Sequence, residues 1–138
     1  MITLTMAALL AAMPLAASGA HGAAVPSSEY TGHYYMVNPD EATRRCIVER
    51  ESNNHPDSVS PGGHGGLYQM TEALWLGAVW MMTGDPIAPI TRAQRRSLQA
   101  KPVWKVSRYW QTRAFWTVYN YTGKGSGAKH WAGGRWSC

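Results

Sequence analysis

What most constrains this chain is a start signal for helices that recurs, with no matching signal for strands. Asn38-Pro39-Asp40-Glu41, Thr71-Glu72 and Thr91-x-x-Gln94 each place a capping side chain ahead of a helix-compatible run. Asn38 suits the N-cap, Pro39 the first helical position and Glu41 the third, which predicts a helix running to about Ser52. Thr71 predicts a helix over 72–82. It is apolar nearly all round from Ala73 to Met82, the pattern of a central buried helix. Thr91 and Gln94 form a capping box that opens a short basic helix ending before Pro102. Val103, Val106, Trp110, Ala114 and Val118 recur every three or four residues and predict an amphipathic helix to about Asn120. No run alternates apolar and polar residues over a strand's length, and no internal repeat appears. The expected class is mainly α, with Ile47, Leu74, Val79, Trp110, Ala114 and Val118 in the core.

Between the first two of these helices lies turn chemistry. Residues 53–66 hold Pro56, Pro61 and four glycines, which predicts a Gly-rich loop or a minimal hairpin. Gly65 and Gly66 would let backbone approach a bound sugar closely. His55, Asp57 and His64 share the loop, but their spacing matches no familiar metal site. They read as surface residues, and no metal or cofactor is expected.

A chain of 138 residues is one domain in size, and it reads in three parts. Residues 1–24 are expected to be a signal peptide: a short apolar run from Ala7 to Ala17, interrupted by Pro14, leads to small residues up to Ala24. The run is too short for a good membrane span. No Lys or Arg precedes it, which departs from the signal pattern. Residues 25–37 are expected to be a linker, whose Tyr30, Tyr34 and Tyr35 either pack on the domain or stay mobile. Residues 38–138 form the folded domain.

Export would also give the two cysteines, Cys46 and Cys138, a purpose. An even count in an exported protein suggests a disulfide, whereas in a cytosolic one they would be free thiols. The formal charge is +5, with cations gathered between Arg92 and Arg113. A basic surface suits a polyanion, and for an exported protein the expected one is a wall polymer rather than nucleic acid. The plainer reading is a solvated basic helix face.

Two acids end the first core helix, and helical geometry separates them. Glu49 lies one turn after Arg45 and can pair with it on a solvated face. Glu51 lies one turn after Ile47 and Val48. Apolar neighbours disfavour a carboxylate and would raise its pKa, as a general acid requires.

Cys46, the Glu51-Ser52-Asn53 step, Gly65-Gly66-Leu67-Tyr68-Gln69 and Trp75 together resemble the transglycosylase-like domain of the lysozyme superfamily, near the resuscitation-promoting factors and soluble lytic transglycosylases. The resemblance covers residues 46–75 well and the carboxyl end loosely. It implies a lysozyme-like α+β fold in which a small helical domain and its Gly-rich loop flank a glycan cleft. It implies peptidoglycan glycan strands as the partner, and one essential Glu before a Ser, here Glu51 and Ser52. Gly66, Leu67, Tyr68, Gln69 and Trp75 would contact substrate, with Gln69 and Tyr68 positioning the sugar or stabilising the developing cation. Tyr119-Asn120 resembles a cleft-lining pair of lytic transglycosylases, although its surroundings depart from that family's small residues. His130-Trp131 and Trp136-Ser137-Cys138 resemble the closing segment, and a Cys46–Cys138 bridge fits the family's habit of pairing an early helix Cys with a late one.

Glycoside hydrolysis usually employs two carboxylates. Of the eight acids, only Asp57 and Glu72 lie near the proposed cleft in sequence, and neither sits where the motif requires a second one. The expected chemistry is therefore that of a single-acid lytic transglycosylase. Glu51 protonates the oxygen between N-acetylmuramic acid and N-acetylglucosamine. It then takes the proton of the muramic 6-hydroxyl, which closes on C1 to give a 1,6-anhydro end. Two alternatives stand beside this: a hydrolytic muramidase, phage-derived or cellular, with Asp57 positioning water, and a non-catalytic wall-binding or resuscitation-type signalling protein. The expected protein is secreted or wall-located, monomeric and without a membrane span after processing.

Overall fold

The computed structural model describes residues 30–132 and Cys138. The signal-peptide expectation for residues 1–24, and the Trp136-Ser137 part of the closing segment, lie outside the described residues. Five α-helices follow in order: α1 (His33–Val37), α2 (Glu41–Ser52), α3 (Glu72–Met82), α4 (Arg92–Gln99) and α5 (Arg108–Asn120). Short 3-10 turns at Val103–Lys105 and Ala128–Trp131 complete the set. The fold is mainly helical. Its strand content among the described residues is two isolated antiparallel bridges, Val59 with Gly65 and Gly65 with Met70, which make the Gly-rich loop a minimal hairpin. Among the described residues no helix is long and apolar enough to cross a membrane.

Two of the expected caps form as read. The Thr71 side chain accepts from the Leu74 amide, and Thr91 with Gln94 closes a complete capping box. The first core helix starts later than expected. Asp40, not Asn38, is its N-cap, and its carboxylate takes both the amide and the hydroxyl of Thr43, at 3.0 and 2.7 Å. A carboxylate that can take two donors from one residue outcompetes Asn38. Arg45 lies 4.0 Å from Glu41, so its acidic neighbour is that residue and not Glu49.

The central helix is α5, not α3. Every residue from Gln111 to Asn120 is buried, and α5 packs against both α1 and α3. By contrast α3 exposes Trp80, which is 58% accessible. Composition concealed this, because α5 carries five polar side chains into the interior, where each finds a partner and only the Arg113 Nε is left without one among the described residues. Gln111 accepts from the Leu67 amide at 2.7 Å and donates to the carbonyls of Pro56 and Val106, both at 3.0 Å. Asn120 donates to Tyr34 O at 2.7 Å and accepts from the Gly125 amide at 2.8 Å. Thr112 meets the Tyr68 hydroxyl at 2.9 Å, and Thr117 donates to Arg113 O at 2.8 Å. The fifth, Arg113, lies 3.6 Å from Asp85, donates to Ala88 O and stacks over the Tyr30 ring at 4.9 Å. The helix is also shorter than its apolar spacing suggests: Val103–Lys105 is a separate 3-10 turn after Pro102, and α5 proper begins at Arg108.

Of the two alternatives for the tyrosines of residues 25–37, packing on the domain is what the described part, from Tyr30 onward, shows. Tyr30 and Tyr34 are buried. The Tyr30 hydroxyl donates to Asp85, and the Tyr35 and Trp116 rings pack in a T shape with centroids 5.3 Å apart. A five-residue helix has too few turns to display periodicity, so sequence shows only three tyrosines, whose burial does the anchoring. Of the expected core, Ile47, Val79, Ala114 and Val118 are buried, whereas Leu74 and Trp110 are only partly so and pack at its edge.

Cys46 on α2 and Cys138 form a disulfide, with Cα atoms 5.7 Å apart and a sequence separation of 92. A loop of that length should stabilise the domain by about 4 to 5 kcal/mol on a chain-entropy account.

Candidate active site

A cleft of about 790 Å³ opens beside the end of α2, lined by Glu51, Ser60, His64, Gln69, Thr71, Ala73, Leu74, His130 and Trp131. That size lies within the usual range for ligand sites. Among the described residues Glu51 is the only carboxylate in the lining. Its position follows from how α2 ends. Asn53 takes a left-handed conformation (φ 50°) and returns its amide to Glu49 O and Val48 O, so the helix stops one residue after Glu51. Ser52 turns inward and donates to Leu67 O at 2.9 Å and Val48 O at 3.1 Å. The residue after the acid thus ties the helix end to the Gly-rich loop across from it.

The surroundings expected for Glu51 are corrected. Ile47 and Val48 are buried in the core, while the Glu51 side chain is 26% exposed and paired with Arg50. The Arg50 Nη2 and Nε donate to Glu51 Oε1 at 2.7 and 3.0 Å, and Nη2 also reaches Trp131 O at 2.5 Å. Adjacent helix residues do not face one another, so sequence spacing gives no reason to pair them. The long guanidinium arm reaches round instead.

Of the expected substrate contacts, only Gln69 lines the cleft. It sits at φ 46°, a strained backbone for a residue with a side chain. Its amide nitrogen donates to Gly66 O at 3.0 Å and Ser58 O at 3.3 Å, which holds the hairpin shut. Ser52, Gly66, Leu67, Tyr68, Trp75, Tyr119 and Asn120 are all buried, and none lines the cleft. Tyr68 stacks on Phe115 at 4.5 Å and bonds to Arg44 and Thr112. Burial, the largest influence, pushes its hydroxyl pKa up despite these partners, so it serves as a neutral structural group. Trp75 donates to Lys101 O at 2.9 Å. Tyr119 stacks on Phe115 at 5.1 Å, and Asn120 braces α1.

The two glycines do permit a close approach, but to protein. A Cβ on Gly65 would lie 2.1 Å from the Trp104 ring, and one on Gly66, at φ +75°, would lie 2.5 Å from Gln111 Oε1. Sequence correctly read the need for bare backbone and misassigned what approaches it.

Five cleft residues are not legible as such from sequence: Ser60 and His64 read as loop, Thr71 as a helix cap, and Ala73 and Leu74 as part of a buried helix. Their convergence depends on the hairpin folding toward α3, which no local pattern encodes. Trp131 forms the far edge, fixed by its indole donating to Tyr68 O at 2.9 Å and packing on Phe115 at 4.8 Å. Compared with protein-family models, with curated proteins and with solved structures, the chain matches none.

Proposed function

We propose that this protein is a peptidoglycan-cleaving lytic transglycosylase of lysozyme-like fold, secreted to the cell wall, with Glu51 as its acid and base. The observation that carries the reading is a single carboxylate among the described lining residues, partly exposed at a helix end, in a cleft lined by polar side chains and Trp131. Ordinary glycosidase chemistry needs a second carboxylate some 5–10 Å from the first. Asp57 is exposed and not part of the cleft lining. A substrate that supplies its own nucleophile, the muramic 6-hydroxyl, removes that need. Glu51 then gives a proton to the bridging oxygen and takes one from the hydroxyl, and no water is consumed. Gln69 and Trp131 would flank the sugar, and His64 and His130 would supply hydrogen bonds at the rim.

One observation favours a second reading, a wall-binding protein with little turnover. A general acid must present its carboxyl to the substrate, and that of Glu51 is engaged by the Arg50 guanidinium at 2.7 Å. Under the transglycosylase reading, glycan binding must draw Arg50 away from Glu51.

The test is digestion of purified peptidoglycan with mass analysis of the products. Anhydro-ended fragments, lighter by one water than hydrolytic ones, are expected. Hydrolytic ends would identify a muramidase, and glycan binding without fragments would identify the binding protein.

A further inference from the structure

A second cavity, of about 400 Å³, lies behind the wall of the cleft, lined by Gly63, Glu72, Trp75, Leu76, Gln99, Ala100, Lys101, Pro102, Val103 and Trp104. The two spaces share a partition. On the loop tip, Ser60 and His64 face the cleft while Gly63 faces the cavity. On α3 and its cap, Thr71, Ala73 and Leu74 face the cleft while Glu72, Trp75 and Leu76 face the cavity.

The chemistry of this lining is unlike that of the cleft. Its floor is aromatic and aliphatic, from Trp75, Val103 and the half-buried Trp104. Its rim holds one carboxylate, Glu72, and one ammonium, Lys101. Neither makes an ion pair or a side-chain hydrogen bond among the described residues, with each other or with anything else. Opposite charges that share a cavity without meeting leave room for a ligand carrying both signs.

We propose that this cavity binds the amphoteric end of a wall peptide, with its ammonium at Glu72, its carboxylate at Lys101 and its aliphatic stem on the Trp104 indole. The proposal rests on reading the cleft as a groove for peptidoglycan, whose glycan carries peptide branches. The partition is one helix thick, about 10 Å, and an extended peptide spans about 3.3–3.6 Å per residue. A branch of about three residues therefore reaches from a sugar in the cleft to the cavity. Such a contact would make the protein select peptide-substituted strands over bare glycan.

The experiment is a titration of the whole nitrogen-15-labelled protein, followed by amide and indole resonances, with two separate probes. One is the free tripeptide L-Ala-γ-D-Glu-L-Lys; the other is a peptide-free oligosaccharide of alternating N-acetylglucosamine and N-acetylmuramic acid. The tripeptide should move the Trp104 indole and the Glu72 and Lys101 amides saturably. Glu72→Gln and Lys101→Gln should each weaken it at least fivefold, and acetylating its amines and amidating its carboxylates should abolish binding. Both side chains are exposed, so the variants should keep the wild-type circular dichroism. No saturable shift, wild-type affinity in either variant, or shifts at Gln69 and His130 instead of Trp104 would overturn the proposal. The oligosaccharide should move Gln69 and His130. If it does not, the glycan reading of the cleft fails, and the tripeptide result still decides the cavity.

Discussion

Two acid–arginine pairs in this protein look alike on paper and are built for different ends. Asp85 and Arg113 sit beneath α1, with the Asp85 side chain 0% exposed. Its carboxylate takes the Tyr30 hydroxyl and the Ile87 and Ala88 amides, the last two at 2.9 and 3.0 Å. Glu51 and Arg50 sit at the edge of a cleft, and among the described residues Glu51 accepts hydrogen bonds from Arg50 alone. The difference is in the number of donors and in access. Asp85 is enclosed by the Tyr30 hydroxyl, two backbone amides and Arg113, with no side-chain exposure. Glu51 accepts from Arg50 alone among the described residues and is 26% exposed, so a ligand can compete for it. A sealed pair holds structure together, and an open one can take part in chemistry.

The largest test of that contrast is Glu51→Gln. It keeps shape and hydrogen bonding but cannot deliver a proton, and loss of acid–base catalysis costs about 100- to 10,000-fold. With no second carboxylate in the cleft, the loss in peptidoglycan turnover should reach the upper end. Thermal unfolding should move little, because the Gln side chain keeps an amide oxygen that can accept from Arg50 and Glu51 is only partly buried. A large drop in stability with activity retained would invert the comparison.

Reduction of the Cys46–Cys138 bond comes next in size. About 4 to 5 kcal/mol should be lost, at roughly 4–8 °C of melting temperature per kcal/mol for a domain of this size. Scanning calorimetry with and without reductant measures it. The fall should be a property of the whole domain, shared by wild type and Glu51→Gln.

Asp85→Ala should cost about 3–5 kcal/mol in denaturant unfolding, since it strands a buried guanidinium, and should leave turnover intact where the variant is folded. The same group gives a pH signature. Burial alone would raise its pKa, but the Tyr30 hydroxyl, the Ala88 and Ile87 amides and Arg113 outweigh burial and hold it below its ordinary 3.8. The folded state therefore binds the Asp85 proton more weakly than the unfolded chain does. That contribution to stability is fully present above the ordinary value and is lost as pH falls through the lower folded one. Asp85→Asn should be less stable at neutral pH and should show a flatter acid limb than wild type.

The smallest expected effect is the sharpest control. Glu49 is exposed, so Glu49→Gln should change stability by less than about 0.5 kcal/mol and leave turnover near wild type. If Glu49→Gln is the inactive variant, the assignment of the cleft acid is wrong.

What sequence could and could not reveal follows the same line. Thr71 and Thr91 announce their helices because a cap is a local device, satisfied within three residues. The disulfide was legible from the count of two cysteines together with the resemblance. The resemblance pointed to Glu51, whereas the helical-spacing grounds for preferring it to Glu49 did not hold, since Arg45 meets Glu41 and the Glu51 carboxylate meets Arg50. The burial of α5 was not legible, because Gln111, Thr112, Arg113, Thr117 and Asn120 read as a polar face until their distant partners are known. The same blindness made Tyr68, Trp75, Tyr119 and Asn120 look like sugar contacts. An aromatic or amide side chain has equal use in a core and in a cleft, and only tertiary neighbours decide. Arg50 was hidden differently, by a rule about adjacent residues that a long side chain evades.

Gln111 has a consequence for how this cleft could diversify. Its amide grips Pro56 and Leu67, the two ends of the glycine-rich excursion, so the loop tip around residues 60–64 hangs from a fixed clasp. Lengthening a clasped loop is thermodynamically mild, about 0.6 kcal/mol for each doubling. Insertions at the tip could therefore reshape both the cleft and the cavity behind it without disturbing the helix end that carries Glu51. Substrate range would be set by residues free to vary, and reactivity by residues that are not.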